Sequence, residues 1–215
     1  MTLAPKGITI GVIGTAGRRE DRDRLNLSKY QQMKASVLGL IAPYTSQPIT
    51  FVSGGAAVAD HIAVQLFLAL PSTRLRLHLP AEFDMERQKY VEVPGKTVAS
   101  GNVANYYHRQ FWKRCQQPSL AELYAAIHKG AEVTVTPNDF KGRNTKVAND
   151  ADIMIALTFG DGPELKDGGT RDCMEKFLRR RTGTSFHMDL HTMAIHSPAV
   201  IPGMEQKAPE TPDLL

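Results

Sequence analysis

Cysteine, tryptophan and long apolar runs are scarce in this chain of 215 residues: it has two cysteines and one tryptophan. Two thiols, Cys115 and Cys173, make no disulfide framework, and no CxxC pair marks a zinc site. A reducing, cytoplasmic setting is therefore expected. No apolar stretch has the roughly 20 residues that span a bilayer, so no membrane partner is expected. The N-terminus lacks the apolar core and cleavage pattern of a secretory leader. Internal repeats are missing too. The first glycine-rich loop fits neither GxGxxG nor the P-loop, since no Gly-Lys-Ser/Thr follows. No cofactor and no metal is expected.

What is present suits one globular domain with a full core: 42% hydrophobic and 22% charged residues. The formal net charge of +4 favours anionic ligands without requiring nucleic acid. Six β-rich runs stand out: Ile8–Ile13, Ile49–Ser53, Leu75–Leu79, Glu132–Thr136, Asp152–Leu157 and Ser185–Leu190. Helical patterns fall between them at Lys29–Ile41, Ala57–Leu70, Leu120–Lys129 and Asp172–Arg181. The alternation predicts an α/β fold, a doubly wound, mostly parallel sheet with helices on both faces. One domain over 1–193 is expected. An insertion at about 80–118 breaks the alternation and holds one helix, roughly Val103 to Cys115. Residues 194–215, rich in Pro, Glu and Lys, read as a flexible tail.

In such folds ligands bind beyond the carboxyl ends of the strands. The loop after the first strand leaves Gly14, Thr15, Ala16 and Gly17 nearly bare, with Arg18 and Arg19 behind. Small residues let backbone N–H groups point at an anion. The second loop, Ser53-Gly54-Gly55-Ala56, runs into a helix with Asp60 in its second turn. Asp60 either accepts hydrogen bonds from a ribose or holds the Gly-Gly turn. A fourth loop, TPNDFKGRNTKVANDA, carries Arg143 for a phosphate and Asn144 for a base or ribose edge. In a fifth, Gly168, Gly169 and Thr170 lead into a helix that begins near Asp172. Several such loops at successive strand ends favour a ligand over coincidence.

Other groupings have plainer readings. Tyr107, Phe111 and Arg114 share a helical face that is either core or a surface for stacking a base. His187, Asp189 and His191 read as the polar face of a strand rather than a metal site. Arg179–Arg181 reads as the cationic end of a helix.

The loop residues together resemble the SLOG superfamily, the Rossmann-like group that joins the DNA-processing protein A family to the Lonely Guy phosphoribohydrolases. Ser53-Gly54-Gly55-Ala56 with Asp60 and Ala63 is similar to the DNA-processing pattern, although Val58 stands where that pattern has a glycine. Arg143-Asn144 resembles its Arg-Asn, and Gly168-Gly169-Thr170 the phosphate loop of the Lonely Guy enzymes. The resemblance implies a nucleotide ligand and a homo-oligomer. Some members hydrolyse the N-glycosidic bond of nucleoside 5′-monophosphates, some sense nucleotide-derived signals, and some bind single-stranded DNA. The hydrolases carry a glutamate where this chain has Cys173, so Asp172 is the carboxylate expected to act, with Glu82 or Asp84 as alternates. A carboxylate there would stabilise an oxocarbenium-like ion or activate water. Hydrolysis or transfer at the glycosidic bond is the first expectation. A non-catalytic sensor and a DNA binder are the alternatives.

Overall fold

A computed structural model of the chain describes residues 7–180 and 182–201. Its strands are β1 (Ile8–Gly14), β2 (Ile49–Ser53), β3 (Arg74–Leu79), β4 (Phe83–Asp84), β5 (Lys89–Tyr90), β6 (Glu132–Val135), β7 (Ile153–Thr158), β8 (Thr184–Asp189) and β9 (Ile195–His196). Its α-helices are α1 (Asp21–Arg24), α2 (Leu27–Ile41), α3 (His61–Ala69), α4 (Ser100–Cys115), α5 (Ser119–His128), α6 (Phe140–Asp150) and α7 (Gly169–Arg179). Among the described residues a seven-stranded sheet runs in the order β6-β3-β2-β1-β7-β8-β9, parallel except for β9. This is the expected Rossmann-like α/β arrangement. The chain winds outward from β1 to β6, then returns to β7 on the other flank of β1. That reversal makes the β1–β7 seam the topological switch point, the place where ligands bind in folds of this class.

Period-2 alternation sorts the strand side chains onto two covered faces. Ile10, Val12, Phe51, Ile155 and Leu157 join α2 to α5 in one core. Ile13, Val52, Met154 and Ala156 join α6 and α7 in the other. Gly14 at the tip of β1 answers to this packing: a Cβ there would lie 2.2 Å from the carbonyl oxygen of Leu157 and 2.6 Å from Cβ of Ala59.

Three expectations change. The stretch around Arg143 and Asn144, expected as a loop, is helix α6. Its carboxylate cap, Asp139, accepts the Gly142 N–H at 2.7 Å. Only Val147 and Ala148 among its apolar side chains are buried, too thin a stripe to read as helical periodicity. The insertion holds, besides α4, the antiparallel β4–β5 hairpin, whose strands are two residues each. Residues 195–201 do not form the expected tail. β9 pairs with β8, and Ala199 and Ile201 are buried. Residues 202–215 of that tail lie outside the described residues. Among the described residues no helix is long and apolar enough to cross a membrane.

Candidate functional site

At the head of α3, Ser53 and Asp60 organise the turn between them. The Ser53 hydroxyl donates to the Asp60 carbonyl at 2.9 Å and accepts the Gly55 N–H at 3.2 Å. The Asp60 carboxylate, in a residue only 4% exposed, accepts the Gly14 N–H at 3.2 Å and faces the N–H groups of Ala56 and Gly54. Burial raises its pKa, and Arg143 and those N–H groups pull it back. The backbone donors expected to cradle a phosphate at Ser53–Ala56 are therefore turned inward. Asp60 holds the turn and is closed to a ribose.

The bare space over the two glycines is filled by the chain itself. A Cβ on Gly54 would lie 2.7 Å from the guanidinium carbon of Arg143. Gly55 has φ +66°, and a Cβ there would meet Leu79 at 2.4 Å and the Tyr90 hydroxyl at 2.8 Å. Gly55→Ala is therefore expected to destabilise the fold by about 2 kcal/mol or more, from left-handed strain and overpacking together. Urea denaturation measures it. A change under about 0.5 kcal/mol would show that Leu79 and Tyr90 yield freely.

The Gly55 carbonyl points into the insertion, where it accepts from the Tyr90 hydroxyl at 2.7 Å and from His108 Nε2 at 3.1 Å. That second bond requires the proton on Nε2, so Nδ1 accepts from the Ser119 hydroxyl at 2.8 Å. Burial and the nearby His61 push the His108 pKa down to about 3. The unfolded chain takes this proton below its ordinary value of 6.5, and the folded chain does not until about 3. Stability from this group is complete above pH 6.5 and is lost as pH falls, by up to about 1.4 kcal/mol per unit. His108→Gln should make the fall in urea midpoint between pH 7 and pH 5 shallower. His78 and His187, whose pKa values burial also lowers, keep part of the slope. Parallel slopes for parent and variant would exclude His108 as a source.

The starts of α6 and α7 supply a second network. Arg143 donates from Nη1 to the Gly54 carbonyl at 3.2 Å and from Nη2 and Nε to Asn144 Oδ1 at 2.8 and 3.3 Å. Asn144 Nδ2 donates to the Gly169 carbonyl at 3.0 Å and to Asp172 Oδ2 at 2.9 Å. Lys176 reaches the same oxygen at 2.9 Å. Burial alone would raise the Asp172 pKa, yet Asn144 and Lys176 hold it below the ordinary value. Asp172 is thus ionised at neutral pH. Cys173 is 2% exposed, its thiol donates to the Asn144 carbonyl, and burial pushes its pKa up to about 12. Gly168 and Gly169 are exposed and Thr170 is half-buried on the first turn of α7.

The other expected residues divide between rim and scaffold. Thr15 donates to Asp21 at 2.8 Å and accepts the Gly17 N–H at 3.1 Å. Ala16 is half-buried beside it. Arg18 lies over the Tyr107 ring, 5.1 Å from its centroid. Phe111 is core, edge-on to Tyr30 at 4.8 Å, and Arg114 pairs with Asp23 at 3.0 Å, so the stripe on α4 leaves only Tyr107 at the rim. Glu82 is exposed, and its carbonyl accepts the Val91 N–H, while Asp84 caps the β4–β5 turn. The structure does not bring Glu82 into the Arg143–Asn144–Asp172 network. Strand β8 ends at Asp189, so His191 sits in the turn beyond it, and Asp189 accepts its N–H at 2.9 Å. Val58, at the position resembling a family glycine, has φ 67° and is buried, a strained conformation for a β-branched side chain.

Lys166 was not anticipated. From the loop after β7 it reaches Asp21 and Glu20 at 2.6 Å each, strapping that loop to the loop after β1. Tyr90 was also missed, since a tyrosine in a two-residue strand carries no periodic signal. Among the described residues no three His, Cys, Asp or Glu side chains are grouped to hold a metal ion.

No family model matches the chain. A protein of Acanthamoeba polyphaga mimivirus, itself uncharacterized, is 33% identical over 174 residues, which cover 79% of this chain and 90% of the viral one.

Proposed function

This chain belongs to the family of that mimivirus protein, and we propose that it binds a nucleoside 5′-monophosphate or related nucleotide at the β1–β7 switch point. The observation that carries the reading is the setting of Arg143. Its guanidinium is half-buried and fixed by Gly54 and Asn144, and among the described residues one N–H on each terminal nitrogen is left over. Through Asn144 it is tied to Gly169 at the start of α7, where the N–H groups of Gly169 and Thr170 precede the first intrahelical bond, from the Asp172 N–H to the Gly168 carbonyl at 3.0 Å. A fork of this kind beside a helix N-terminus suits a phosphate. Kinship with the SLOG superfamily is part of the same proposal.

Cleavage of the N-glycosidic bond is the activity proposed for the site. The C1′–N bond breaks, the base leaves with the electron pair and takes a proton, and water delivers its hydroxyl to C1′. Ionised Asp172 would stabilise the cationic carbon. One observation favours a second reading, a binder without catalysis: Asp172 Oδ2 is already held by Asn144 and Lys176. Incubation with a panel of nucleoside monophosphates separates the readings. Released base supports cleavage, a raised melting midpoint without base supports binding alone, and neither result ends the proposal.

A further inference from the structure

Between α4 and α5 lies a hollow of about 170 Å³. Trp112, Pro118, Leu120 and Ala121 give it apolar walls, and Arg109, which also lines it, is paired with Glu92 at 3.7 Å. The other two lining residues, His108 and Ser119, are each only 1% exposed and form its floor.

These two are joined in a particular sense. The Ser119 hydroxyl donates to His108 Nδ1 at 2.8 Å, and His108 Nε2 donates to the Gly55 carbonyl at 3.1 Å. A hydroxyl, an imidazole placed to take its proton and a fixed acceptor that sets the tautomer are the parts of a nucleophilic serine site. A backbone carbonyl serves here where a carboxylate often stands. Ser119 is also the first residue of α5. The N–H groups of Leu120 and Ala121 precede the first intrahelical bond, from the Glu122 N–H to the Pro118 carbonyl at 2.9 Å. They are donors for an oxyanion formed beside Oγ.

We propose that Ser119 and His108 form a second site, which hydrolyses short-chain, uncharged acyl esters held in the α4–α5 hollow. Ser119 Oγ bonds to the ester carbonyl carbon while its proton passes to His108 Nδ1. The ester C–O bond then breaks, and the alcohol leaves with the electron pair and that proton. Water attacks the acyl-serine by the same route, releasing the acid and restoring the Ser119 hydroxyl. An imidazole with a pKa near 3 takes a proton reluctantly, so the ester needs an electrophilic carbonyl, as aryl esters have. The inference does not depend on nucleotide binding.

The probes are 4-nitrophenyl butyrate and an alkyl fluorophosphonate, used on the full chain. The protein is expected to release 4-nitrophenolate and to take up the phosphonate on Ser119, located by peptide mass spectrometry. Excess butyrate ester should slow the labelling. Ser119→Ala should lose the label and at least about 100-fold of the hydrolysis. Labelling of the parent chain is read without any variant, so it stands even if Ser119→Ala folds poorly. A parent chain that takes up no phosphonate, or takes it up only outside the hollow, would overturn the proposal. So would equal hydrolysis by the parent and a folded Ser119→Ala.

Discussion

Asp60→Ala is expected to cost about 3–5 kcal/mol of stability, the range for removing one partner from a buried charged network. The loss has two parts. The N–H groups of Gly14, Ala56 and Gly54 lose the carboxylate they face, and each unpaired buried donor costs about 1–3 kcal/mol. The Arg143 guanidinium also loses a buried counter-charge. Asp60→Asn keeps the shape and one acceptor but turns an amide N–H toward other N–H groups, so an intermediate loss is expected. The urea midpoint, at unchanged slope, reads both variants. An Asp60→Ala chain within about 1 kcal/mol of the parent would show that the turn holds without its carboxylate.

Arg143→Ala is expected to weaken nucleotide binding by about 1–3 kcal/mol, or about 5- to 150-fold, since a charge-assisted fork is lost. It also removes the bond to the Gly54 carbonyl, so the comparison belongs well below the melting temperature of either protein. Arg143→Lys retains the charge but cannot hold Gly54, Asn144 and a phosphate together. It should recover only part of the affinity. Calorimetric titration with a nucleoside monophosphate that raises the parent's melting midpoint provides the test. Equal affinities for parent and Arg143→Ala would place the phosphate elsewhere.

The sheet was legible because β1, β2 and β7 are dense in apolar residues and buried on both faces, a signal that a short window contains. Ile49–Ser53 is recovered residue for residue. Helix α6 was hidden because its buried face is mostly Asn144, Val147 and Ala148. The glycine loops show where legibility stops. A bare Ser-Gly-Gly-Ala turn reveals that space is needed but not what fills it. Here the occupants are Arg143, 89 residues from Gly54, and the Tyr90 hydroxyl, 35 residues from Gly55. The same holds at Gly14, whose close neighbour is the carbonyl of Leu157. No local pattern encodes such meetings. The Lys166 strap is of this kind too, joining residues 145 apart.

The β1–β7 seam imposes an order of events on synthesis. Ile10 pairs with Ile153, and Thr9 donates its N–H to Asp152 across a separation of 143 residues. At about 5–20 residues per second, a ribosome needs roughly 7–30 s between the two strands. Gly14, Gly54, Ala56 and Asp60 all emerge early, so the carboxylate and its N–H partners can meet while one edge of β1 is still uncovered. Arg143, the cation that offsets the buried charge, arrives more than 80 residues after Asp60. Strand β7 and the start of α7, which would flank the proposed nucleotide, come later still. A nascent chain that stops short of Ile153 leaves one edge of β1 open. A nucleotide bound between the two flanks, as proposed, would therefore select only finished chains and would stabilise this long-range closure.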